Sequence, residues 1–160
     1  MHALAYFCAK NSFMYEVFVF LHSIFRWLVL ISLLYAIGRS IEGLVSKRAY
    51  TKADNLARAM ASTISHTQLL IGFTVYFVLS PITQFFMKSG SGDNHEIWFF
   101  GIYHIAMMLL AIVVMTIGGS MAKRAAGDTA KFKTTVIYFS IALVLILLAI
   151  PWFRPFFRNF

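Results

Sequence analysis

Four apolar stretches, each about 20 residues long, constrain this chain more than anything else in it. They cover 16–38, 59–80, 97–119 and 134–152. About 20 apolar residues wound as a helix cross about 30 Å of hydrocarbon. Lipid offers the backbone no hydrogen-bond partners, so each stretch must satisfy its own amides and carbonyls as a helix. A membrane barrel would need alternating polar and apolar residues, and these stretches are uniformly apolar. Only 12% of the residues are charged, about half the share of a soluble domain. The expected fold is all-α, an integral membrane four-helix bundle over 14–160. Residues 1–13 lack the basic start, apolar core and cleavage site of a signal peptide. They read as an extension, disordered or not native, with Met14 as the expected start.

The formal net charge is +8, which raises the question of nucleic acid. The placement of the charges argues against it, because all but Arg26 lie in loops and tails that flank the spans. Arg39, Lys47, Arg48, Lys52 and Arg58 fall in or beside the first loop, and Lys123, Arg124, Lys131 and Lys133 in the third. The second loop carries only Lys88. Positive loops stay on the cytoplasmic side. The expectation is therefore a multi-pass membrane protein with both termini outside the cytoplasm. The single Cys8 excludes an intrachain disulfide and a cysteine-based metal cluster. Thr51 or Asp54 is placed to cap the second helix, which should end at the Ser80–Pro81 step. The run MKSGSGDNHE reads as a surface turn, and the third span should run out at Gly118–Gly119.

Ionisable groups inside hydrocarbon are costly, and a chain that keeps them usually uses them. Here they are His22, Arg26, His66 and His104. His22 and Arg26 are four residues apart and share a helix face. Counting about 1.5 Å per residue puts His22 roughly 8 Å below the outer boundary, Arg26 roughly 14 Å and His104 roughly 10 Å. His66 falls roughly 21 Å from that boundary, in the inner half. Two imidazoles at one depth on different helices are what a six-coordinate haem iron needs. His22 and His104 are therefore the candidate axial ligands of a haem b. The bland reading is that each histidine only bonds to a neighbouring helix. No Asp or Glu lies inside any span, and arginine cannot shed its charge. Arg26 must then be met by carbonyls and water, a partner protein, or an anion such as a haem propionate or a quinone under reduction. Thr67 and Gln68 could orient His66 or line a quinone pocket. Gly72 leaves room for close helix approach or a cofactor edge.

Around LHSIFRWLVL, ISHTQLLIGFTVYF, FGIYHIAMMLLAI and KFKTTVIYFSIALVLILLAIPW, the chain resembles a group of small four-helix membrane proteins commonly labelled cytochrome B in Bacteroidetes-type bacteria. The likeness covers nearly the whole chain from Met14. It is distantly similar to bacterial cytochrome b561, whose bundle holds two haems with four histidines. This chain has three intramembrane histidines and none in span four, so a second haem of that kind is doubtful. The resemblance implies an electron carrier or quinol-linked oxidoreductase subunit, working between quinol and a partner redox protein. His66 joins the cofactor-binding candidates without an assigned job. The alternative is a non-redox accessory subunit of a respiratory or other membrane complex, whose intramembrane His and Arg meet partner helices. A histidine-lined transporter or copper protein is disfavoured by the absence of intramembrane acids and cysteines.

Overall fold

The computed structural model describes residues 2–153, with side chains from Phe13 onward. The elements are α1 (His2–Val45), α2 (Lys52–Thr74), α3 (Pro81–Ser89), α4 (His95–Trp98), α5 (His104–Arg124) and α6 (Asp128–Ala149). Single π turns extend α2 over Val75–Leu79 and join α4 to α5 over Phe99–Tyr103. Four helical stretches, Phe13–Val45, Lys52–Leu79, His95–Arg124 and Asp128–Ala149, are long and apolar enough to cross a membrane. The chain is thus an all-α four-helix bundle of the multi-pass membrane type. Of the expected extension at residues 1–13, residues 2–13 run into α1 as helical backbone. The side chains of 1–12 and all of 154–160 lie outside the described residues.

The helix ends follow local chemistry. Thr51 caps α2, and Asp54 returns the bond to the Thr51 amide, a complete capping box. At the far end Ser80 is extended and Pro81 opens α3, with the Ser80 hydroxyl accepting from the Thr83 amide. Residues 81–89, expected as part of a loop, are therefore helical. The Ser-Pro step that stops one helix also starts the next. The turn narrows to Gly90–Asn94. The third span also departs from expectation, continuing past Gly118–Gly119 to Arg124. Those glycines serve packing. A Cβ at Gly118 would run into the Cβ and Cγ of Tyr138, so only glycine lets α5 lie this close to α6. The Gly119 carbonyl accepts from Arg58 at 2.9 Å.

In the ring of helices α1 packs on α2 and α6, and α5 packs on α6; α2 and α5 touch least. Apolar burial cannot drive helices together in lipid, so small residues and close packing must. Ala36, Ala61, Ala111, Ala142 and Ala149 are buried at these contacts, around the larger Leu33, Met115 and Phe139. Leu28, Ile31, Leu34, Val113, Ile117, Val144 and Leu148 face outward. In the first turn of α2, Asp54 (side chain 1% exposed) gathers Arg39 and Arg48. Arg48 also meets Glu42 at 2.7 Å. Beside Asp54 the Arg48 guanidinium is held above its already high ordinary pKa.

Candidate functional site

The end of α6 builds one half of the site. Pro151 forces Ile150 out of the helix, so the last carbonyls of α6 lose their intrahelical donors. Side chains replace them. Trp152 Nε1–H donates to Leu147 O at 2.8 Å, and His104 Nδ1–H donates to Ala149 O at 2.8 Å. With the proton on Nδ1, the lone pair of His104 lies on Nε2. The π turn Phe99–Tyr103 ends immediately before His104. One inserted residue shifts helix phase by about 100°, so this turn sets which way His104 points relative to α4. The rings of Phe99 and Phe100 flank it, with centroids 5.9 and 6.1 Å away.

The other half comes from α1 and α2. The His22 ring centre lies 6.2 Å from that of His104, with the planes inclined at 66°. His22 Nδ1 is buried and has no hydrogen-bond partner. A buried imidazole nitrogen left without a partner is costly, so this atom faces toward an unfilled role. Gln68 Nε2 donates to the His22 carbonyl at 2.9 Å, and Gly72 stands against the ring edge. A Cβ at position 72 would sit 3.1 Å from His22 Cε1. Arg26, one turn below His22, places its guanidinium carbon 5.5 Å from the Trp27 ring centre.

These side chains line one cavity of about 360 Å³, within the size range of cofactor sites. His22, Arg26, Gln68, Tyr76, Thr83 and His104 supply its polar wall; Leu69, Met108, Ile112 and Ile146 are among its apolar residues. Tyr76 and Thr83 were not singled out from the sequence. The π turn at Val75–Leu79 leaves the Tyr76 carbonyl to the Thr83 hydroxyl, while the Tyr76 hydroxyl reaches Gly101 O. The signal available in the sequence was the Ser80–Pro81 break between them.

The structure therefore brings His22, His104 and Arg26 to one cavity and leaves His66 outside it. His66 is exposed on the bundle surface, its Nδ1–H donating to Ser62 O at 2.7 Å and its Nε2 lying 3.2 Å from Thr116 Oγ1. Gln68 serves His22, not His66, and Thr67 donates to Thr63 O. Among the described residues no group of three or more His, Cys, Asp or Glu side chains converges on a point.

The donor set suits a haem iron. His22 and His104, with ring centres 6.2 Å apart and both at the wall of one cavity, are the residues that would hold it. The guanidinium is suited to a propionate by its paired donors. No known protein family, curated protein or solved structure matches the chain.

Proposed function

We propose that the chain is a membrane b-type cytochrome, carrying electrons between quinol and a partner redox protein. The carrying observation is the 6.2 Å separation of the His22 and His104 rings at the wall of one cavity. His22 and His104 would hold haem b, which supplies a one-electron centre when bound. The chain's own residues do the rest. The Ala149 carbonyl fixes the His104 tautomer, Gln68 holds the His22 backbone, and the apolar wall excludes water, which sharpens every charge effect within. Arg26 offers a permanent cation to a propionate.

Purified protein should show the Soret and reduced α bands of low-spin bis-imidazole haem, and either His22→Ala or His104→Ala should abolish them. Full spectra from both variants would show the ligand assignment to be wrong. Under this proposal the protein sits in a bacterial inner membrane with both termini periplasmic and the cationic loops in the cytosol. A cysteine placed at Ser91 should label from the periplasmic side, and labelling only from the cytosol would reverse the orientation.

One observation favours a second reading, an accessory subunit of a larger complex. His66 and Thr116 form a polar pair on the outer face, where lipid offers nothing to match it. Co-purification of an apoprotein with a membrane oxidoreductase, lost on His66→Leu, would select that reading.

A further inference from the structure

A second cavity, about 320 Å³, opens at the end of the bundle that carries the cationic loops. It lies where the start of α2, the end of α5 and the start of α6 come together. Lys52, Lys123 and Lys131 line it, one from each helix, with Tyr50 and Asn55 beside them and buried Ala122 among its walls. Three separate elements thus deliver three like charges to one concave place. Such convergence is repulsive unless an anion occupies it.

The neighbouring acids do not answer that charge. Asp54 and Glu42 are taken by Arg39 and Arg48, a self-neutral set of two cations and two anions. The Arg39–Asp54, Arg48–Asp54 and Arg48–Glu42 ion pairs include no lysine. Asp128 stands one turn before Lys131 on α6 and offsets at most one of the three charges. Arg58 adds a further cation, spent on Gly119 O and on Asn55 Oδ1 at 2.7 Å. With its oxygen occupied by Arg58, the Asn55 amide has its N–H donors left for a ligand. Lys131 Nζ rests 5.5 Å from the Tyr50 ring centre, which holds its stem at the rim.

We propose that this cavity is a phosphate-binding site, filled either by the headgroup of an anionic phospholipid or by free phosphate. Its position at a membrane-facing helix end, and its lysines (flexible point charges rather than rigid forks), suit a phosphate. It is separate from the histidine cavity and does not rest on the electron-transfer reading.

The test uses the full-length protein in dodecylmaltoside micelles, followed by native mass spectrometry with phosphatidylglycerol or with phosphatidylcholine, and by thermal melting with inorganic phosphate. The wild type should retain about one phosphatidylglycerol per chain and no phosphatidylcholine if the source is lipid. If the source is free phosphate, melting should rise with phosphate but not with equal ionic strength of chloride. In either case Lys52→Gln, Lys123→Gln and Lys131→Gln together should weaken the effect on the order of a hundredfold, and each alone roughly fivefold. Lys88→Gln, at the opposite end, should leave it unchanged. The single variants guard against a misfolded triple variant. Equal binding by wild type and all lysine variants, or no preference for either phosphate source, would overturn the site.

Discussion

Gln68 Nε2 donates to the backbone carbonyl of His22 across 46 positions of sequence, at 2.9 Å. The bond ties α2 to α1 at the level of the candidate ligand. A side chain first read as a neighbour of His66 instead holds the backbone that carries His22.

Gln68→Leu removes that tie and leaves the His22 carbonyl to its helix alone. Haem affinity should fall about tenfold, the lower end of what outer-shell partners contribute at metal sites. Haem titration of the apoprotein measures it. Unchanged affinity would show that His22 is held by α1 packing without Gln68.

Gly72→Ala puts a Cβ 3.1 Å from His22 Cε1, so the ring must give by a few tenths of an ångström. The expected result is a folded protein with a shifted low-spin spectrum, read by electron paramagnetic resonance of the oxidised form. A spectrum identical to wild type would mean the His22 ring has slack there.

Arg26→Leu should lower the midpoint potential by tens of millivolts or loosen haem retention, because a cation beside iron favours the reduced, less positive state. Arg26→Lys should restore the charge but not the paired contact to a carboxylate. Redox titration separates the two. An Arg26→Leu protein with wild-type potential and haem content would assign Arg26 to something other than the haem.

Gly118→Ala drives a methyl into Tyr138 and must push α5 off α6, at a cost of about 1–3 kcal/mol. Its melting temperature in micelles should drop, and Tyr138→Gly in the same chain should recover part of the loss, because the clash begins at the Tyr138 Cβ. A double variant no more stable than Gly118→Ala would place the strain elsewhere.

Asp54→Asn takes the charge from a carboxylate that accepts from Arg39, Arg48 and Thr51. The loss of charge-assisted bonds should cost about 1.5–3 kcal/mol. Thermal melting checks the size, and added salt should shrink the difference between wild type and variant, because screening weakens half-buried partners such as Arg39. A variant as stable as wild type at low salt would show the network to be decorative.

Span number, approximate span limits and a cap at Thr51 or Asp54 were readable in the chain because they are local, and the structure takes Thr51 as the cap with Asp54 in the first turn. Twenty apolar residues in lipid have only helix available, and a capping box closes within four residues. The meeting of His22 with His104 was half readable. Depth follows from counting residues, since rise per residue is constant. Facing does not, because each π turn inserts a residue and rotates everything beyond it by about 100°. The turn at Val75–Leu79 hid Tyr76 and Thr83. His66 and Gln68 lie before it on one regular helix, two residues and about 200° apart, so His66 is exposed while Gln68 turns inward to His22. Gly118 and Gly119 looked like a helix end and proved to be a helix contact, because a missing Cβ permits both. By itself the chain determined how many long apolar helices form, and the order of the polar groups along each. Only the tertiary structure decided which faces meet, since helix rotation in lipid is set by close packing between distant residues and not by any gradient of hydrophobicity along one helix.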